Sequence, residues 1–117
     1  MEVTNPNVVC FDVDETLVHW TWEPGADTVI IKTEWGTEIQ VSPNHATIGK
    51  LISHSKVGHY VIVWSQGGND WAKSVISNLG LTTYVNVIST KPKWYYDDLP
   101  ADTWMGRVDP AKINEGK

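Results

Sequence analysis

The feature that most constrains this chain is an apolar run, Val8-Val9-Cys10-Phe11, that stops at two carboxylates spaced two apart, Asp12 and Asp14. An unbroken apolar run of this length predicts a strand buried on both faces, as in a parallel sheet. Extended backbone points residues 12 and 14 the same way, and the loop after the strand can turn both groups toward one cavity. Two carboxylates that close repel each other, so the pair calls for a cation. A hard divalent ion such as Mg²⁺, held by carboxylate, carbonyl and water oxygens, is the natural one. One acid can then act as a nucleophile and the other as a proton carrier.

A chain of 117 residues suits a single domain over 1–117, with little left for an appended module. Its 41% hydrophobic and 20% charged residues are ordinary for a globular protein. The single Cys10 can form no internal disulfide and fits a small buried hydrophobe. Residues 1 to 7 lack the basic start and apolar core of a signal peptide, and no apolar run reaches the roughly 18 residues of a membrane span. A soluble, cytoplasmic protein with no membrane partner is therefore expected. The formal charge of −5 argues against an extended nucleic-acid footprint, but leaves room for a small phosphorylated molecule or a phosphorylated polymer end. Seven tryptophans are many for this length, and the sequence does not say which line the core and which border a site.

After Pro24-Gly25, Thr28 to Glu34 and Thr37 to Val41 have the β-branched content and alternation of two strands, joined at Trp35-Gly36. This predicts a hairpin over about 28–41, inserted after the first strand. Ser42-Pro43 predicts the start of a helix over about 43–56, with Ile48, Leu51 and Ile52 as its apolar stripe. Tyr60 to Trp64 is a second buried strand, ending at Ser65-Gln66-Gly67-Gly68, where a hydroxyl and backbone N–H groups suit an anion. Asn69 caps the expected next helix, Ala72, Val75, Ile76 and Leu79 form its stripe, and Gly80 ends it. Tyr84 to Ser89 reads as a third strand, followed by Lys91-Pro92-Lys93. Trp94-Tyr95-Tyr96 reads as a fourth, ending in Asp97-Asp98. A short helix or last strand over 103–108 and a flexible tail over about 108–117 complete the reading. The four histidines have neither metal-ligand spacing nor an identifiable carboxylate partner, so they are expected to be structural or surface groups.

Strands ending in Asp12/Asp14, Ser65, Lys91 and Asp97/Asp98 describe an open α/β sheet, whose ligands bind beyond the C-terminal strand ends. Asp-x-Asp-x-Thr after a hydrophobic strand, Ser65 at a strand end, a lysine and an acidic pair, in that order, resemble the four motifs of the haloacid dehalogenase-like (HAD) phosphohydrolases. The resemblance spans positions 8 to 98. It implies a Rossmann-like open parallel sheet with flanking helices, and a β-hairpin flap over the site in place of a full cap domain.

The resemblance also implies roles. Asp12 is the nucleophile and a metal ligand, and Asp14 is the general acid/base, binding metal through its main-chain carbonyl. Thr16 steadies the loop. Ser65, with Gln66 and Gly67, and Lys91 hold the phosphoryl group; Lys91 is preferred over Lys93 as the lysine. Asp98 is a direct Mg²⁺ ligand, with Asp97 ligating or orienting. The implied activity is a Mg²⁺-dependent phosphomonoesterase acting through an aspartyl-phosphate. A non-catalytic phosphate- or metal-binding module on the same fold, and a phosphatase of polynucleotide ends, are the alternatives. A receiver domain would want its acceptor Asp on a middle strand, where this chain has Ser65. An oligomer, in which a partner supplies a lid, is also open.

Overall fold

The structure is a computed structural model and describes residues 7–113. The apolar run forms β1 (Val8–Asp12), which pairs in parallel with β5 (Tyr60–Ser65), and β5 pairs in parallel with β6 (Val87–Thr90). The sheet order is β1-β5-β6, so β1 is an edge strand and is not buried on both faces as its apolar run predicts: Val8 is 50% exposed, and of the run only Phe11 is buried. Helix α1 (His45–Lys56) precedes β5 and packs on it; α2 (Asn69–Asn78) follows β5 and packs on β5 and β6. This is an α/β fold built on a three-stranded parallel sheet.

The core is a single cluster. Val61 and Val63 of β5, Leu51 of α1 and Ala72, Val75 and Ile76 of α2 are all fully buried. The helical stripes read from the sequence are therefore the faces that meet the sheet, where burial of apolar surface is the dominant stabilising term.

Between β1 and α1 lies a smaller antiparallel sheet. Its strands are β2 (Val18–His19), β3 (Val29–Lys32) and β4 (Glu38–Pro43), in the order β2-β4-β3. β3 and β4 form the expected hairpin, with Ile31 opposite Ile39 and Val29 opposite Val41. Gly36 in its turn has φ +90°, a conformation that favours glycine.

Several boundaries differ from the sequence reading. Ser42 and Pro43 do not open α1. They pair with His19 and Val18 as the end of β4, because a residue before proline is pushed toward extended backbone. The cap is Asn44, whose side chain accepts from the Thr47 N–H at 3.3 Å. Asn69 is the first residue of α2 rather than its cap; Gly68, at φ +105°, precedes it. The third strand begins at Val87, since Thr82–Tyr84 forms a 3₁₀ turn. Over 103–108 neither helix nor strand runs through. A 3₁₀ turn spans Ala101–Thr103, and a helical turn, α3, spans Pro110–Ile113 within the stretch expected to be a tail, whose last residues lie outside the described range.

The larger correction concerns Trp94-Tyr95-Tyr96. These residues form no strand and are 74%, 58% and 97% exposed. A parallel strand needs a crossover of about a dozen or more residues to return to the far end of the sheet. Only Lys91, Pro92 and Lys93 lie between the end of β6 and Trp94. Local strand propensity cannot overcome that missing length. No helix among the described residues is long and apolar enough to cross a membrane.

Candidate active site

Asp12 ends β1, Ser65 ends β5 and Lys91 directly follows β6, so parallel pairing brings three distant positions to one edge of the sheet. The Lys91 backbone N–H donates to the Ser65 carbonyl at 2.9 Å, which anchors the lysine beside β5. Its Nζ lies 4.0 Å from Asp12 Oδ1, and both side chains are about one-third exposed. Such a contact contributes little to stability, yet it leaves a cation and a carboxylate facing the same solvent-accessible space.

That space is a cavity of about 750 Å³, lined by Asp12, Asp14, Thr16, Trp64 and Lys91 together with Cys10 and the stretch Met105 to Ala111. Burial pushes the Cys10 thiol up from its ordinary value, so it stays a protonated, weakly reactive group. Lys93 does not line the cavity.

The loop after Asp12 is tightly wound. Val13 is fully buried and its carbonyl accepts from the N–H groups of Thr16, Leu17 and Val18. Glu15 takes φ +59°, a strained position for a residue with a side chain. Its carboxylate offsets part of that strain by accepting from His19 Nδ1 at 3.0 Å and the Trp20 N–H at 3.1 Å. Those bonds, that from His19 foremost, hold the Glu15 carboxyl below its ordinary range. The turn is thereby pinned, and Asp14 with it.

Asp14 is held from three sides. Oδ1 accepts the indole N–H of Trp20 at 2.8 Å and that of Trp71 at 3.0 Å. Oδ2 accepts the Ser65 hydroxyl at 3.1 Å. Ser65 is fully buried, and its Oγ in turn accepts the Gly67 N–H at 3.0 Å. A Cβ at Gly67 would come within 3.3 Å of that Oγ and 3.2 Å of Trp71 Cδ1, so a larger residue there requires these neighbours to give by a few tenths of an ångström.

The Ser65 to Gly68 turn therefore differs from an open anion cradle. The Gly67 N–H is engaged by Ser65 Oγ, that of Gly68 by the Ser65 carbonyl, and that of Asn69 by Thr90 Oγ1. Gln66 is exposed and lines neither the cavity nor the recess beside Asp14.

Asp97 and Asp98 are not brought to the cavity. Both are exposed, and Asp97 Oδ1 accepts the Leu99 N–H at 3.0 Å in a local turn. Without a fourth strand nothing carries them to the sheet edge. Asp109 lines the cavity instead, although its Oδ1 already accepts the Ala111 N–H at 3.0 Å. Among the described residues, no three His, Cys, Asp or Glu side chains are grouped to hold a metal.

Two further features escaped the sequence reading. Trp20 and Trp71 as donors to Asp14 had no signal beyond an abundance of tryptophan, since an indole's hydrogen-bond partner is set by tertiary placement. Two histidines also have carboxylate partners after all: His19 with Glu15, and His45 with Asp27 at 3.1 Å. His54 and His59 face each other, Nδ1 to Nδ1, at 2.9 Å. Comparison of the chain with protein-family models, with curated proteins and with solved structures finds no match to any of them.

Proposed function

We propose that this protein is a phosphomonoester hydrolase of the HAD type, with Asp12 as nucleophile. The observation that carries the reading is the meeting of Asp12 with Lys91 at the C-terminal edge of the parallel sheet, 4.0 Å apart and open to a cavity. A carboxylate and an ammonium facing one accessible space suit attack on an anionic phosphoryl group: the carboxylate supplies the electron pair, and the ammonium offsets the oxygen charge.

Asp14 is the proton carrier, and its hydrogen bonds decide which oxygen does the work. Indole N–H groups can only donate, so Oδ1, which faces two of them, is confined to accepting. The Ser65 hydroxyl can both donate and accept. Oδ2, whose one partner is the rotatable Ser65 hydroxyl, is therefore the oxygen left to carry a proton. From there it passes to the leaving oxygen, and Asp14 later accepts a proton from the water that cleaves the aspartyl-phosphate. Ser65 thus serves by positioning Asp14, and Lys91 by neutralising the phosphoryl oxygens.

The donor set suits magnesium only in its minimal form. Magnesium commonly keeps several waters and takes one or two carboxylates together with a substrate phosphate. Asp12 and the main-chain carbonyl of Asp14 would hold it, with a phosphate oxygen and waters as the remaining donors; Asp97 and Asp98 lie away from the cavity. When bound, it would offset the charge between Asp12 and the phosphate. A donor set this small also favours a second reading, a phosphate-binding module without turnover.

Hydrolysis of an aryl phosphate by wild type and Asp12→Asn, each with Mg²⁺ and with chelator, separates the two. Turnover by the wild type alone, lost on chelation, is the expected result. Equal turnover by a clean Asp12→Asn preparation would sink the mechanism. Phosphate binding without turnover by the wild type, across nucleotide, sugar and phosphoprotein esters, would establish the binding module.

A further inference from the structure

A second recess, about 350 Å³ in volume, also borders Asp14. It is lined by Asp14, Trp20, Trp35, Ile39, Gly67 and Trp71. Asp14 borders both this recess and the Asp12 cavity, so the two meet at that residue. Trp71 forms the inner wall and is 6% exposed; Trp20 packs against it with ring centroids 5.5 Å apart and planes inclined by 34°. Trp35, from the turn of the β3–β4 hairpin, is 56% exposed.

The recess has no lysine, arginine or histidine. Its one carboxylate is already engaged by Trp20, Trp71 and Ser65. What it offers a ligand is indole surface, most of it from Trp20 and Trp35, and one aliphatic side chain. With Asp14 already engaged, the recess leaves few polar groups to pair with hydroxyls, and its indoles suit a flat π-system, which packs on indole offset or edge to face.

Its place in the reaction defines what enters it. If Asp12 attacks phosphorus and Asp14 protonates the departing oxygen, the group attached to that oxygen leaves beside Asp14, the residue that the recess shares with the Asp12 cavity. We propose that the Trp20–Trp35–Trp71 recess binds a planar aromatic ring carried by the leaving group, so that the substrates are small phosphomonoesters bearing a nucleobase or an aryl ring. This rests on the phosphatase reading above. The absence of basic residues from the recess, with a net charge of −5, favours a small ester over a polynucleotide.

The test compares kcat/KM for adenosine monophosphate, phenyl phosphate and glycerol phosphate in the wild type, Trp35→Ala, Trp35→Phe and Trp94→Ala. The wild type is expected to favour at least one ring-bearing ester over glycerol phosphate, and whichever of the two it favours names the source of the ring. Trp35→Ala lowers that preference by about tenfold or more, the usual scale of a lost stacking partner. Trp35→Phe restores most of it, and Trp94→Ala, which lines neither cavity, leaves it unchanged. No preference in the wild type, or the same preference in Trp35→Ala, overturns the proposal.

Binding of adenosine and of phenol, neither with a phosphate, is read in parallel by saturation-transfer NMR. If the wild type cleaves none of the esters, the phosphatase reading fails and this measurement alone decides the recess. Binding of either ring that weakens in Trp35→Ala sustains an aromatic-ring site, and binding of neither overturns it. A dimer in light scattering that Trp35→Ala dissolves would assign the recess to a second copy of the chain, and would also overturn it.

Discussion

The C-terminal edge of the parallel sheet and the stretch after it, 92–113, have comparable sequence signals and opposite outcomes. Val8–Asp12, Tyr60–Ser65 and Val87–Thr90 became paired strands that deliver Asp12, Ser65 and Lys91 to one edge. Trp94-Tyr95-Tyr96, with three aromatic residues in a row, stayed unpaired and exposed, and left Asp97 and Asp98 in solvent. The difference lies in the connections. A crossover through the hairpin and α1 precedes β5, and one through α2 precedes β6; three residues precede Trp94. Aromatic propensity measures how well a residue fits a pleated, half-buried surface, and it acts only where the chain can reach one.

The sharpest way to break this contrast is to remove one acid from each region. Asp12→Asn should lower turnover by about a thousandfold or more, the scale seen when a nucleophile is lost, with the circular dichroism spectrum unchanged. Asp98→Asn should change turnover little. A loss at Asp98 equal to that at Asp12 would mean that the acidic pair joins the site in solution, and the contrast would fail there.

The two lysines test the same boundary. Lys91→Ala should cost about a hundredfold or more in kcat, as for loss of one charge-stabilising group. Lys93→Ala should stay near wild type, because Lys93 does not line the cavity. Reversal of that order would move the functional lysine across Pro92.

Stability should divide in the same way. Leu51→Ala removes a fully buried side chain beneath the sheet and should cost about 2–5 kcal/mol in urea unfolding. Tyr96→Ala, at a residue 97% exposed, should shift stability by no more than about 0.5 kcal/mol. A large loss at Tyr96 would reveal that the aromatic stretch packs on the domain.

The smallest expected effect is a pH dependence on the sheet side. Partial burial, then the charges of His59 and Lys50, hold the His54 imidazole below its ordinary value of 6.5. The unfolded chain then takes up the proton first as pH falls. This contribution is fully present above about pH 6.5 and is lost as pH falls through the lower folded value. The melting temperature should therefore decline between pH 7 and pH 5, less steeply in His54→Gln. Glu15, also held low, acts in the same direction but below its ordinary 4.5, outside that window. Identical slopes for wild type and His54→Gln would remove His54 as the cause.

What was legible in the sequence follows from local physics. The apolar runs marked β1 and β5, the 3.6-residue stripes marked α1 and α2, and the carboxylates, serine and lysine at strand ends pointed to one edge of a parallel sheet, because alternation, helical period and capping act between near neighbours. Tertiary structure alone decided that Ser65 turns to Asp14, that two indoles share Asp14 Oδ1, that Met105 to Ala111 wall the cavity, and that Asp97 and Asp98 stay outside it. These depend on which segments can reach one another. Chain length between elements and the packing of buried side chains set that, and neither is visible in the composition of the segments themselves.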